Sequence, residues 1–282
     1  MPVEVIAVVL VAALVHAGWN AVAKSAGQGD PLISTSAIAV GGAIVALPLL
    51  VVTGLPAPAS HGQVIASGVI HVVYFVLVGL AYRAADYSAV YPITRGSAPV
   101  VTALLASVLL GEAMSVLAWL GVVLSSAGIL ALGSDALRRG GLPGRALAIA
   151  GLNICVIVAY PLVDGDGARA SGNPAGYVLA MMALTGLLLL PVMLAWLGQG
   201  IIGQMLAQWR IALIGGSMVS LSYGAALWAM TKAPIGMVAA LRETSVLFAA
   251  VIAAVILRER FGMARWLGTA LILAGLVAMR MG

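Results

Sequence analysis

The chain has 282 residues, of which 63% are hydrophobic and only 8% are charged, and its mean hydropathy is +1.14. These values exclude a water-soluble globular protein, because its surface would need far more polar residues. The net charge of +5 does not indicate nucleic-acid binding here. The cations stand in short loops between apolar segments, where they act as topology signals.

Apolar runs of about 20 residues, the length that a helix needs to cross a bilayer, recur along the whole chain. Gly, Pro and charged residues bound ten such runs, so we predict an all-α integral membrane protein with ten transmembrane helices. The longest polar connection, 134–145, divides the chain into two units of five spans, 1–137 and 138–282. The predicted spans are 3–23, 32–52, 63–83, 88–110, 115–133, 146–163, 175–197, 210–230, 235–257 and 263–281.

An internal repeat relates the two units. At an offset of 147 residues, 95–132 aligns without a gap on 242–279, with 13 identities in 38 positions. For a chain of this composition, roughly a tenth of the positions would be identical by chance. Because each unit has an odd number of spans, the second enters the membrane in the opposite orientation. We therefore expect inverted repeats around a central cavity, a construction of secondary transporters. The matched residues include Arg95 with Arg242, Glu112 with Glu259, Trp119 with Trp266, Gly121 with Gly268 and Gly128 with Gly275.

Short motifs near these identities carry a family resemblance. They are Trp19-Asn20 with Lys24, Pro92 with Arg95, Leu110-Gly111-Glu112, Trp119-Leu120-Gly121, Leu257-Arg258-Glu259 and Trp266-Leu267-Gly268. In them the chain resembles, over essentially its whole length, the EamA-type members of the drug/metabolite transporter superfamily. By length and by its central aromatic and His residues it looks most like the YddG-like exporters of aromatic amino acids and other metabolites. The resemblance implies a ten-helix fold in which helices three, four, eight and nine surround a cavity and helices one and six complete it.

Aromatic residues with polar groups share one face of the third span, where His71, Tyr74 and Tyr82 follow helical spacing, and Tyr91 begins a similar face in the fourth. Such faces suit a flat ligand, because they cover its ring and supply a few hydrogen bonds. For Tyr82 and Tyr91, near the ends of their spans, anchoring at the membrane interface is the alternative. A His inside a span needs a polar partner or water, so His71 is a functional candidate.

Three further spans contribute candidates for the cavity wall. His16 shares a face of the first span with Trp19 and Asn20, although a helix-to-helix hydrogen bond explains His16 equally well. Spans six and eight add polar and aromatic side chains at helical spacing. The predicted substrate contacts are His71, Tyr74, Tyr82, Tyr91, Trp19, Asn20, Asn153, Tyr160 and Trp228.

Charged residues within or beside the spans have a different expected role. A guanidinium in hydrocarbon costs at least about 2.5–3.5 kcal/mol, so Arg95 and Arg242 must face water or a substrate carboxylate, or pair with an acid such as Glu243. Their symmetric placement favours gating or structure. Glu243 is the only acid expected to lie deep, which makes it the candidate for proton coupling. Glu112 and Glu259, in equivalent hairpins, are expected to cap the helices that follow them.

These observations predict a secondary transporter of the cell inner membrane that exports small metabolites, with aromatic or large neutral amino acids favoured, by alternating access. Export of other organic solutes or drugs is the alternative, and a non-transporting subunit stays open. An enzyme is not expected, because the sequence has no paired carboxylates and no nucleophile or metal motif. We expect no cofactor, metal or nucleic-acid partner, and a protein that functions as a monomer in the lipid bilayer.

Overall fold

The structure, a computed structural model, describes residues 1–25, 30–84, 87–140, 144–249 and 263–282. Nearly all of these residues are helical, and no strand occurs among them. The helices are α1 (Val3–Ser25), α2 (Pro31–Thr53), a short 3-10 helix (Pro58–Ser60), α3 (His61–Ala84), α4 (Tyr87–Leu109), α5 (Val116–Gly140), α6 (Gly144–Ala170), α7 (Pro174–Leu197), α8 (Gly200–Ala207), α9 (Trp209–Met230), α10 (Ile235–Arg242) and α11 (Met263–Met281).

Six helices of the described chain, namely α1, α2, α3, α6, α7 and α9, are long and apolar enough to cross a membrane. The apolar parts of α4, α5 and α11 are shorter. Large apolar side chains lie on the outer surface, where Val51 and Val116 are 86% and 85% exposed. Such a surface suits lipid and not water. The prediction of an all-helical, multi-pass membrane protein is confirmed, whereas the number of ten spans stays a prediction.

Polar caps set the ends of the helices at the membrane surfaces. Asp30 starts α2, since its carboxylate accepts from the Leu32 amide at 3.0 Å and a proline follows at the first helical position. The Arg83 guanidinium, at the end of α3, donates to both oxygens of the same carboxylate. This contact lowers the pKa of Asp30 from its ordinary value. One acid therefore caps α2 and ties it to α3.

The seam between α5 and α11 displays the symmetry of the repeat. Gly121 lies against Gly275, and Gly128 lies against Gly268. A Cβ atom on any of the four would stand 2.6 Å from the carbonyl oxygen of its partner, so only glycine permits this approach. Exchange of the two repeats maps one of these contacts onto the other. The contacts also run in opposite directions along the two helices, the antiparallel relation that inverted repeats require of equivalent helices.

A break interrupts the segment predicted as one continuous span over 235–257. The helix α10 ends at Arg242, residues Glu243 and Thr244 form a turn, and helical structure resumes at 245–249. Across the turn, the Glu243 and Thr244 amides each donate at 3.2 Å to carbonyl groups three residues earlier, the pattern of a 3-10 helix. The expected continuous helix is therefore wrong here. Discontinuous helices in transporters expose backbone and charge at the binding site.

Candidate functional site

A small cavity lies inside the bundle, walled by side chains from α1, α3, α6, α7, α9 and α10. Its volume is about 30 Å³, enough for about two or three water molecules, since each needs about 10–15 Å³. Sites for drug-sized ligands measure roughly 300–1,000 Å³. The space between these side chains is therefore too small for such a ligand in this structure. The cavity is lined by His16, Trp19, His71, Tyr74, Phe75, Tyr160, Met182, Val219, Tyr223 and Arg242.

Four aromatic rings, those of His71, Tyr74, Tyr160 and Tyr223, form the largest part of the wall. Neighbouring centroids are 5.0–6.1 Å apart, with tilted or edge-to-face geometry. This is the arrangement that aromatic pairs prefer, and it leaves apolar faces beside hydroxyl edges. The rings come from α3, α6 and α9, so relative movement of these helices would separate them. This cluster is named the ring cluster below.

A buried network of charge and hydrogen bonds borders the ring cluster. Arg95 donates through Nη1 to Glu243 Oε1 at 2.9 Å and through Nη2 to the Tyr74 hydroxyl at 3.3 Å. The same Nη2 lies 2.9 Å from His16 Nε2, and the Trp19 indole N–H donates to His16 Nδ1 at 3.1 Å. A neutral imidazole accepts at only one nitrogen, whereas Arg and Trp can only donate. The two donors therefore compete for His16, which must be neutral to accept from either.

Two charged groups at the helix break keep unused hydrogen-bonding capacity. Arg242 is 6% exposed and lies over the Tyr223 ring, with Cζ 4.9 Å from the centroid. In the described part of the chain, no carboxylate lies within salt-bridge distance of Arg242. The second oxygen of Glu243, Oε2, is buried without a hydrogen-bond partner among the same residues. Buried charges of this kind inside a membrane protein mark substrate or ion pathways.

Asp164 is a deep acid that the sequence analysis missed. Its side chain is fully buried; the Tyr177 hydroxyl donates to Oδ1 at 2.9 Å, and the Tyr223 hydroxyl donates to Oδ2. The expectation that Glu243 is the only deep acid is therefore wrong. It arose because span six was ended at 163, whereas α6 continues to Ala170. A signal in the sequence was Asn173 followed by a proline, which marks the start of α7 and lets α6 extend beyond residue 163.

The structure places four of the predicted contact residues, Trp19, His71, Tyr74 and Tyr160, in the cavity wall. Tyr82 and Tyr91 belong to α3 and α4, but their side chains lie outside the described residues.

Three other predicted contact residues stand away from the wall. Asn20 donates to the His16 carbonyl on its own helix at 2.8 Å. Asn153 is buried outside the cavity lining, and its Oδ1 has no hydrogen-bond partner in the described ranges. Trp228 is partly buried and packs on the apolar core of the bundle. Tyr223, which the sequence analysis did not select, takes the place in the wall that was expected for Trp228.

Glu112 caps a helix, but not the one expected. Its carboxylate accepts from the Ile235 amide at 2.8 Å, at the start of α10, and from Arg169 at 2.6 Å. The following helix, α5, is capped instead by Ser115, whose hydroxyl accepts from the Ala118 amide at 3.1 Å. Glu112 thus joins the end of α4 to α6 and α10, across the two repeats. Its repeat equivalent, Glu259, lies outside the described residues.

We expect Glu112→Ala to lower the free energy of unfolding by about 1–3 kcal/mol, because the substitution removes a helix cap and leaves Arg169 without its carboxylate. The measurement is reversible unfolding of the detergent-solubilised protein. Glu4→Ala is the matched control, since Glu4 is exposed in the first turn of α1. A loss no larger than that of Glu4→Ala would contradict the capping role.

Comparison with known proteins decides the class. The model of the EamA-like transporter family matches residues 4–134 and, a second time, residues 147–281. The chain belongs to the EamA-like transporter family. This membership identifies a multi-pass membrane protein that transports small solutes. The members of the family are transporters and not enzymes. In the described ranges, no group of three His, Cys, Asp or Glu side chains could hold a metal ion.

Solved structures share the fold of this EamA-like transporter, and one of them is a crystal structure. The two superpose with a TM-score of 0.77 over 99% of this chain and 98% of the other, at 16% sequence identity. At that identity the likeness shows the fold alone. Comparison with curated protein sequences gives no match.

Proposed function

We propose that this protein is a secondary transporter of the inner membrane that exports aromatic or large neutral amino acids by alternating access, acting as a monomer. The observation that carries the proposal is the combination of the ring cluster with the buried Arg242, which has no carboxylate partner among the described residues. A cavity with an apolar aromatic wall and one buried cation fits an apolar side chain that carries a carboxylate.

The ring cluster supports the apolar half of this substrate. Each residue of the ring cluster is at most 8% exposed, and all four line the cavity. When the rings separate, their faces become apolar surface that water covers poorly and that a flat or branched apolar side chain covers well. Burial of such a side chain contributes about 1.5–3 kcal/mol. A sugar of the same size gains little binding free energy from such burial, since its hydroxyl groups must give up their hydrogen bonds to water.

The helix break supports the charged half. The Arg242 guanidinium can donate to a substrate carboxylate, with hydrogen bonds that are about twice as strong as neutral ones. Glu243 is the next residue along the chain, and its Oε2 atom can accept a hydrogen bond from an α-ammonium group. A zwitterion would therefore meet one charge of each sign where α10 is interrupted.

Alternating access is supported by the small size of the cavity. A cavity of about 30 Å³ must expand at least about tenfold to admit a metabolite. The cavity wall draws on both halves of the chain, with α1 and α3 on one side and α6, α7, α9 and α10 on the other. Movement of one half against the other would thus open this space, as in transporters built from inverted repeats.

A competition panel tests the substrate class. Proteoliposomes loaded with phenylalanine are assayed for uptake of radiolabelled phenylalanine in the presence of tryptophan, leucine, phenethylamine, phenylpropionate or glucose. We expect tryptophan and leucine to compete most strongly, the two single-charge analogues more weakly and glucose not at all. Equal competition by all five would refute the amino-acid assignment. Strong competition by phenethylamine alone would favour the alternative, export of cationic organic solutes or drugs.

We expect Arg242→Gln to raise the phenylalanine concentration for half-maximal counterflow by about 10- to 150-fold, the equivalent of a charge-assisted hydrogen bond of about 1.5–3 kcal/mol. Inhibition by phenethylamine, which has no carboxylate, should change less than twofold. Lys232→Gln, which removes an exposed cation in the loop before α10, is the control. An equal loss for both ligands would assign Arg242 to structure and not to carboxylate recognition.

A further inference from the structure

Asp164 is a buried acid for which the substrate contacts proposed above have no use. Its carboxyl, on α6, stands where three helices meet, because Tyr177 of α7 and Tyr223 of α9 donate to its two oxygens. A carboxyl at such a position in a membrane protein is costly to bury, and such groups mark ion and proton pathways. Its position therefore calls for a function.

No Lys or Arg lies within salt-bridge distance of Asp164 in the ranges that the structure describes. Arg95 of α4 is directed to Glu243 and His16 instead. A carboxyl held only by hydroxyl donors can exist with or without a proton, because hydroxyl groups also accept hydrogen bonds. The other titratable or charged groups near it are His71 on α3, Tyr177 on α7, Tyr223 on α9, Tyr160 and Asp166 on α6, and Arg242 on α10.

Two residues connect Asp164 to the cavity. Tyr223 donates to the carboxyl and lines the cavity, and its ring centroid lies 5.5 Å from that of His71, which lines it too. His71 Nδ1 lies 3.0 Å from the Ser67 carbonyl oxygen. The Ser67 hydroxyl lies 3.1 Å from the same Nδ1. In the tautomer whose Nδ1–H donates to the carbonyl, Nε2 is the nitrogen that can take up a proton. One residue of the cavity wall, Tyr223, is thus hydrogen-bonded directly to the carboxyl.

We propose that Asp164, reached through His71 and Tyr223, binds the proton whose movement drives substrate transport. This inference rests on the proposed export function. In the binding step, hydronium in the cavity loses a proton and an O–H bond forms on one carboxylate oxygen, while one tyrosine hydroxyl turns away from that oxygen. Tyr223 also contacts His71, Tyr160 and Arg242 in the cavity wall. Proton occupancy and the shape of the cavity are therefore linked.

The test is accumulation of radiolabelled phenylalanine in proteoliposomes across a gradient of one pH unit. Exchange of one proton per substrate supports an accumulation ratio of about ten, since one pH unit equals about 1.4 kcal/mol. We expect this ratio for the wild type and a ratio near one for Asp164→Asn, which should still exchange labelled phenylalanine when no gradient is present. Asp166→Asn is the matched control, because Asp166 is exposed on the same helix and is bound by Gln63. It should accumulate substrate as the wild type does.

The outcomes separate the two proposals. Absence of phenylalanine counterflow in the wild type overturns the export function itself. Counterflow that ignores the pH gradient, or wild-type accumulation by Asp164→Asn, overturns the proton site alone. Loss of accumulation in Glu243→Gln but not in Asp164→Asn does the same. If Asp164→Asn does not fold, phenylalanine is added to the purified wild type in weakly buffered detergent solution with a pH indicator. About one proton released per transporter is expected, and none released overturns the proposal.

Discussion

Arg95→Gln is expected to lower the free energy of unfolding by about 3–5 kcal/mol and to reduce phenylalanine counterflow at least tenfold. The reason is that removal of one member of a buried ion pair leaves the other charge without compensation. Here the remaining charge is Glu243, whose Oε2 already has no hydrogen-bond partner within the described residues and whose Oε1 would lose its donor. The Arg95 contacts with His16 and Tyr74 would be lost as well.

A double-mutant cycle separates the ion pair from the other contacts of Arg95. Glu243→Gln alone should also destabilise, while the combination with Arg95→Gln should cost less than the sum of the two changes, by about 1–3 kcal/mol. Arg280→Gln is the control, because Arg280 is an exposed cation in the last turn of α11. The measurements are unfolding in detergent and counterflow in proteoliposomes. Strict additivity would show that the pair contributes no interaction energy.

The frame of the molecule could be predicted from the sequence because hydropathy and repetition are local properties. Arg95 and Arg242 fall in one register of the repeat, and the structure places both beside the same cavity. The glycines of the repeat gave a further local signal, since their matched positions make the close seam between α5 and α11. What repetition could not provide is the partner of each side chain. Glu112 illustrates this, because the crossing of α4 with α10 brings its carboxylate to Ile235.

The cavity was predicted less completely, for reasons of helix geometry. In span eight, Trp228 was predicted to line the cavity, but Tyr223 is the residue that lines it. Consecutive residues of a helix differ by about 100° of rotation, and the packing against other helices decides which face of the helix points inward. Trp228 instead packs on the apolar core of the bundle. Asp164 was missed for another reason, a helix end placed too early.

Gly121→Ala and Gly275→Ala are each expected to lower the free energy of unfolding by about 1–3 kcal/mol or more, and by similar amounts. At both positions an added Cβ would stand 2.6 Å from a backbone oxygen of the opposite helix, so relief requires that α5 and α11 move apart. Forced overpacking of this kind costs about 1–3 kcal/mol, and backbone yields less readily than a flexible side chain. Similar losses are expected because the two added Cβ atoms would stand at the same distance from a backbone oxygen.

Gly151→Ala is the control for these substitutions, because Gly151 is helical in α6 and no atom lies within 4 Å of the added Cβ. Alanine has the higher helix propensity by about 1 kcal/mol, so no loss of stability is expected there. The three variants are compared by unfolding in the same detergent. Stability of Gly121→Ala and Gly275→Ala equal to that of Gly151→Ala would mean that the seam has space between its helices. A loss at only one of the pair would contradict the mutual close contact, in which the added Cβ of each glycine meets the carbonyl oxygen of the other.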